Sequence, residues 1–507
     1  MLYVVPTNGW PGASPTVEKV NRCRLCGPVT GQARRGSKIF RSESLINSLD
    51  GKESLLNEKS AKKLIDTVLD VSAGRFDGVE VALAGSDVAT SRFAESQMTQ
   101  NQAPESHRLS VRVLKDGRQI RLETSDTGPA GIKAVLDNAF EAVKYSEPDP
   151  DLLSMISKES FSSASTPRTD RLDSRVKKLG GHERAAHIGN IIELGDAAGL
   201  TSAGVVASGT KFEAVGNSEG LFDYHQESHL ECSVTMVGPD SSGWAKSQSP
   251  RQEDVDPRAL GASAVAKAKA AASPRDIEPG RYAAILEHSA VLDLLSFLLW
   301  DFAATSHRDR QSCLLNKVGE QVFGENINIV DDVYHPLQAG SPFDAEGLSR
   351  QRINLVERGR LVDLVYGRRS ARLAGRQDGG TGHSLPEPSI MGEYPMNPIM
   401  AGGDHSLEEM IASTNNGILL SRVWYVRTVD PARKILTGMT RDGTFKIEGG
   451  RIVHGVKNLR FNISLLELFN RVEMLSKSMR AAGEEGFPAV VPAIKVSEFN
   501  FTEVTRF

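Results

Sequence analysis

Apolar positions begin to repeat at helical spacing near residue 57. Ala61, Leu64, Ile65 and Val68 mark one face of a helix. "VEVALAG" (79–85) then alternates as a strand, and "LSVRVL" (109–114) and "RQIRLE" (118–123) do the same. The last two flank Lys115-Asp116-Gly117, where Asp-Gly favours a two-residue hairpin turn. Asp126 or Thr127 is placed to cap a following helix with Ile132, Val135, Ala139 and Val143 inward. The first unit is therefore expected to run α-β-β-β-α.

"KESFSSASTPRTD" (158–170) interrupts the pattern as a linker. A second unit follows, with a helix over 183–199, strands near 202–216 and 221–237, and an Ala-rich helix over 257–273. After the Pro-bounded "SPRDIEPG" (273–280) comes the longest apolar run, "AVLDLLSFLLWDFAA" (290–304), expected as a core helix. The remainder is β-rich. "NLVERGRLVDLVYG" (354–367) and "GTFKIEGGRIVHGVK" (443–457) predict hairpins turning at Arg358-Gly359 and Gly449-Gly450. The expected class is α+β, with the C-terminal part an antiparallel, barrel- or sandwich-like set of hairpins. The domain division is 1–57, an irregular extension; 58–157 and 171–275, two α+β domains; and 280–507, a β-rich domain.

Composition narrows the function classes. A chain of 507 residues with 60 Lys plus Arg against 64 Asp plus Glu is close to neutral, which excludes the basic footprint of a dedicated nucleic-acid binder. The 290–304 run is too short to span a bilayer and contains Asp293 and Asp301, so no membrane segment is expected. The N-terminus lacks the charged and apolar regions of a signal peptide. Four cysteines make no disulfide framework, in keeping with a reducing cytoplasm. Cys23 and Cys26 form "CRLC", but no further ligand follows before His107.

"HQESH" (225–229) is one transposition from the helical zinc-peptidase motif His-Glu-x-x-His. On a strand, however, His225, Glu227 and His229 all point to one face, which is not the geometry of that motif. A solvated strand face is the expected reading.

The β-rich part carries "SCLLNKVGEQVFGENINIVDD" (312–332), "SPFDAEGLSRQRINLVERGRLVDLVYGRRSARLAG" (341–375), "GGTGHS" (379–384), "PMNPIMAGGDHSLEEMIAS" (395–413) and "VPAIKVSEFNFTEV" (491–504). In this order and spacing they resemble the TldD/TldE (PmbA) family of peptidase proteins, over roughly residues 58–507. That resemblance implies a zinc held by His-Glu-x-x-x-His, on the helix opening the third region, and by a Cys near the C-terminal end. Alignment from "QSCL" (311–314) puts Ser296, Phe297 and Asp301 at the motif's two His and one Glu positions. Cys313 is the last cysteine, and the segment expected to hold the thiolate reads "MRAAGEEGFPAV" (479–490).

The resemblance thus implies the zinc-free TldE/PmbA type: no catalytic residues, no metal ligands and no cofactor of its own. Zinc is expected only in a TldD-type partner subunit, with which the chain would form a heterodimer around an unfolded or leader-type peptide. Whether this chain is itself an enzyme stays open. The alternative is a stand-alone, homodimeric peptide-binding or scaffold protein. Asp344, Glu346, His383 and Asn397, in Gly-rich turns, are the candidate peptide-binding residues. Each is also explained by turn chemistry, Asp344 and Glu346 beside Gly347 above all.

Overall fold

Asn57 caps the first described helix: its Oδ1 accepts the Ser60 N–H at 3.0 Å. That helix, α1 (Glu58–Ser72), turns Ala61, Ile65 and Val68 inward. The structure, a computed structural model, describes residues 55–157, 171–377 and 379–505. The expected extension up to residue 54, Cys23, Cys26 and all of the 158–170 linker fall outside the described residues.

β1 (Gly78–Ser86) is followed by a hairpin of β2 (Ala89–Ala94) and β3 (Gln97–Gln102), then by β4 (Ser106–Lys115), β5 (Arg118–Thr124) and α2 (Pro129–Ala142). The first unit thus holds five strands where the apolar alternation predicts three. β3 is exposed at every position, so no apolar alternation announces it. The cap of α2 also differs, since Gly128 is the N-cap and Asp126 Oδ1 accepts the Gly128 N–H at 2.9 Å.

Next come α3 (Ser174–Lys177), α4 (Gly181–Ala197), β6 (Thr201–Asn217), β7 (Phe222–Val237), β8 (Ser242–Ser249) and α5 (Pro257–Ala270). β6 joins the two N-terminal regions into one sheet of order β3-β2-β6-β1-β4-β5, with β7 and β8 added beside it. Its length makes this possible. Residues 204–208 pair with β2 and residues 211–217 with β1, while the other edge pairs with β7 throughout. One face of the sheet buries two apolar clusters. Val81, Leu109 and Val111 pack with Ile65 and Leu136, and Val206, Cys232 and Val234 pack with Ile188 and Ala264.

The C-terminal part starts with β9 (Gly280–Leu286), α6 (His288–Ser296) and α7 (Ala304–Arg308). The expected core helix over 290–304 is buried but broken by a 3₁₀ turn, Leu299–Phe302. Asp301 accounts for the break. Its carbonyl oxygen accepts Ser312 Oγ–H at 3.0 Å and lies 2.8 Å from His307 Nε2. Its carboxylate accepts the Cys313 N–H at 2.7 Å and pairs with Lys434.

A six-stranded sheet follows, from β10 (Ile329–Asp331), β11 (Ile353–Glu357), β12 (Arg360–Leu361), β13 (Pro398–Met400), β19 (Met479–Ala481) and β20 (Ala489–Val491). Between these strands lie α8 (Arg368–Leu373), α9 (Leu407–Ala412), β14 (Asn416–Asp430), β15 (Ile435–Glu448), β16 (Arg451–Gly455), β17 (Leu459–Ser464), α10 (Leu465–Asn470) and β18 (Val472–Leu475). With β21 (Ile494–Val504), the path β14-β9-β21-β17-β15 returns to β14 and closes a small barrel. Both expected hairpins are present, as β11–β12 and β15–β16. The class is α+β, with an antiparallel, barrel-like C-terminal part. Among the described residues, no helix is long and apolar enough to cross a membrane.

Candidate functional site

The four residues singled out in the Gly-rich turns come together, and they do so inside the protein. Asp344, Glu346, His383 and Asn397 are 4%, 3%, 1% and 4% exposed, so none presents an open side chain to a ligand. Asp344 Oδ1 accepts the N–H groups of Glu346 and Leu348, each at 3.0 Å, the turn chemistry its position predicts. Its Oδ2 accepts the Ser384 N–H at 2.9 Å. Burial pushes the Asp344 carboxyl up to about 7, the nearby Glu346 adding to the shift.

Glu346 Oε1 accepts from Arg112 at 3.1 Å and Arg368 at 3.4 Å, and Oε2 accepts from Ser384 Oγ at 3.1 Å. Arg112 also faces Glu80 at 3.5 Å, and Glu80 accepts from Arg121 at 2.5 Å. Burial works against the charge of Arg112, and Glu80 and Glu346 outweigh it, so its affinity for the proton rises. His383 Nε2 donates to Asp331 Oδ1 at 2.9 Å while Asp331 Oδ2 accepts the Asn397 N–H at 2.7 Å. Asn397 Oδ1 in turn accepts from Arg350 at 2.6 Å. This network ties the 341–350 and 379–384 loops to the polar face of the N-terminal sheet.

The segments that the resemblance assigns to the metal also meet. α6 faces residues 482–486: Ser289 Oγ donates to Ala482 O at 2.9 Å, and a Cβ on Gly486 would stand 2.9 Å from Ser296 Cβ. Asp293, fully buried, points its Oδ1 at the N–H groups of Glu484, Glu485 and Gly486 at 2.9, 2.9 and 3.3 Å. Its Oδ2 has no hydrogen-bond partner among the described residues. Burial pushes this carboxyl up to about 6 against the pull of the three N–H groups. Ser296 Oγ donates to Asp293 O at 2.7 Å, and Phe297 packs on the C-terminal core. Sequence reasoning missed Asp293, which gives no local signal beyond a charge in an apolar run.

"HQESH" lies on β7, on the polar face of the N-terminal sheet. The expectation of a solvated face is corrected for His225, which is 6% exposed. Its Nε2 stands 3.5 Å from Glu227, whose Oε2 accepts the Gly340 N–H at 2.7 Å. Two residues on, His229 and Glu231 line a cavity of about 430 Å³ together with Val88, Thr90, Arg92, Gly204, Val205 and Ala207. Gln248 Nε2 stands 3.3 Å from His229 Nδ1, and His229 Nε2 faces Glu231 at 3.6 Å. Burial lowers the His229 proton affinity. Burial opposes the ionisation of Glu231, but His229 and Lys246 outweigh it and hold the carboxyl at about 2. Lys246 also donates to Gly483 O at 3.1 Å, which joins the cavity wall to the loop fastened on Asp293. Arg480 of β19 closes the same side by donating to Gln248 O at 2.9 Å and to Gln248 Oε1 at 2.7 Å. Among the described residues, no group of three or more His, Cys, Asp and Glu is arranged to hold a metal ion.

Comparison with known proteins finds similarity of sequence and of fold. Residues 279–503 match the family described as PmbA/TldA metallopeptidase C-terminal domain. The metalloprotease PmbA of Escherichia coli is 21% identical over 447 residues, spanning 84% of this chain and 92% of the relative. A metalloprotease of Methanothermobacter thermautotrophicus is 28% identical over 173 residues, 33% of this chain and 37% of its own. The crystal structure of TldE from Thermococcus kodakarensis superposes with a TM-score of 0.76 at 18% identity, covering 87% of this chain and 100% of that one. At that identity the likeness is one of fold.

Proposed function

The chain belongs to the TldD/TldE (PmbA) family of metallopeptidases, and on that premise we propose that it is a metal-free, TldE-type member. In this reading it shapes half of a peptide cleft for a zinc-bearing TldD-type subunit. The observation that carries the proposal is the contact between α6 and residues 482–486. The segments that would supply the metal ligands meet there, and what they contribute is a serine, a phenyl ring and backbone N–H groups around Asp293. Zinc takes imidazole, thiolate and carboxylate donors converging on one point. Ser296, Phe297 and Asp301 do not fit it, since Asp301 is neutralised by Lys434. No chemical step is assigned to this chain.

What the chain would contribute is position. An extended peptide is held mainly through its backbone, with pockets for alternate side chains. In this reading the partner's chemistry acts near the 483–486 loop, which Lys246 links to Glu231 in the cavity wall. Asp344, Glu346, His383 and Asn397 serve this reading from behind, by fixing the loops that shape the cleft. Cys232 and Cys313 are free and buried, in keeping with a reducing cytoplasm as the proposed compartment.

The test is co-expression with a TldD-type chain, followed by metal analysis and peptidase assay on an unfolded polypeptide. The expected result is co-purification, zinc and cleavage in the complex, and neither zinc nor cleavage for this chain alone. About one zinc per isolated chain, with cleavage, would overturn the proposal. Peptide binding by a self-associated chain that ignores the partner would instead favour the stand-alone scaffold.

A further inference from the structure

The polar face of the N-terminal sheet is covered at both ends. At one end Arg112 meets Glu346, and at the other Lys246 donates to Gly483 O and Arg480 of β19 donates to Gln248. Between these contacts lies the cavity of about 430 Å³ over β2, β6 and β7. Its floor is made of small side chains, Gly204, Val205 and Ala207. Gly204 has no alternative, since a Cβ there would stand 2.0 Å from Ser233 O. Thr90 and Arg92 rise on one side, His229 and Glu231 on the other.

The charges in the cavity are unequally committed. Glu231 is matched by Lys246 at 3.5 Å and faced by His229 at 3.6 Å. Arg92 is exposed, and its guanidinium has no hydrogen-bond or ion-pair partner among the described residues. The Thr90 hydroxyl beside it is likewise unpaired. A cationic ligand would have to displace Lys246 from Glu231, whereas an anion meets an open guanidinium and a free hydroxyl.

We propose that this cavity is a subsite for a carboxylate, taken from an acidic side chain of an extended peptide and held by Arg92 with Thr90. A guanidinium binds a carboxylate with two parallel N–H bonds, a geometry an amide side chain cannot match with equal strength. An extended peptide sends alternate side chains to one side, so a single acidic residue can enter the cavity while the backbone runs on toward the 483–486 loop. The inference rests on the peptide-cleft reading above and adds a side-chain preference to it.

The test uses the full chain co-purified with a TldD-type subunit, its zinc removed with a chelator so that nothing is cleaved, and two fluorescein-labelled extended peptides that differ only by Glu or Gln at one position, read by fluorescence anisotropy. The Glu peptide is expected to bind roughly tenfold more tightly, as a charge-assisted hydrogen-bond pair allows. Arg92→Ala should abolish the preference and Arg92→Lys should retain part of it, with the circular dichroism spectrum unchanged. Equal binding of the two peptides, or a preference that survives Arg92→Ala, overturns the subsite and leaves the peptide cleft standing. Failure of both peptides to bind the complex at millimolar concentration removes the cleft reading, and the subsite with it.

Discussion

Asp293 Oδ1 accepts the Glu485 backbone N–H at 2.9 Å, and the N–H groups on either side of it converge on the same atom. One carboxylate oxygen therefore organises the loop that joins α6, β8 and β14. The loop is fastened further by Lys246 to Gly483 O and by Glu485 Oε1 accepting the Val426 N–H at 3.2 Å. Asp293→Ala would leave three N–H groups without their acceptor in a buried place. Each unmet group costs on the order of 1 kcal/mol or more, so a loss of ~3 kcal/mol is expected in urea unfolding. An unchanged midpoint would mean that water replaces the carboxylate without cost.

The same residue should give the protein a measurable pH dependence. Its folded-state pKa is raised from 3.8 to about 6, first by burial. Between those values the folded protein keeps a proton that the unfolded chain has lost, so stability rises as pH falls through the window. A shift of that size is worth on the order of 3 kcal/mol. Asp293→Asn keeps an acceptor for the loop and places its NH₂ where Oδ2 now has no partner. Wild-type stability relative to Asp293→Asn should therefore grow as pH is lowered from 7 to 4 and stay flat above 7. A difference that stays constant across the range would show that Asp293 titrates normally.

The parts of this architecture that were legible from sequence are those with a local cause. Asp116 and Gly117 adopt positive φ, as a tight hairpin requires, and the Asp-Gly pair announces it. Glu95 and Ser96 do the same between β2 and β3, but neither residue type carries that signal. The site was harder. Arg112 and Glu346 are 234 positions apart, and nothing near "FDAEG" says that its carboxylate meets a buried guanidinium. His383 follows three glycines and looks like a loop residue, yet it is nearly inaccessible, between Thr381 and Asp331.

The two described cysteines should be chemically silent in the folded protein. Burial pushes both the Cys232 and the Cys313 thiol up to about 12, and the neighbouring carboxylates of Glu231 and Asp301 push in the same direction. Only the thiolate reacts. In iodoacetamide treatment at pH 8, peptide mapping should find both unmodified until urea is added. Modification of Cys313 in the native protein would show that the Asp301–Lys434 region opens.

Glu346 distinguishes a peptide-contacting residue from a supporting one. It is 3% exposed, and its two oxygens take Arg112, Arg368 and Ser384. Glu346→Ala would leave Arg112 with the neutral Gln119 Oε1 at 2.9 Å and with Glu80 at 3.5 Å, a carboxylate already shared with Arg121. Removing one partner of a buried ion pair costs ~3–5 kcal/mol, because the charge left behind stays desolvated. A clear drop in the unfolding midpoint is therefore expected, with Glu346→Gln losing less because its amide oxygen still accepts. Peptide affinity, measured where the variant remains folded, should change little, since the side chain does not reach an open surface. An Ala variant as stable as wild type but deficient in peptide binding would return Glu346 to the cleft surface and show that the 341–350 loop opens in solution.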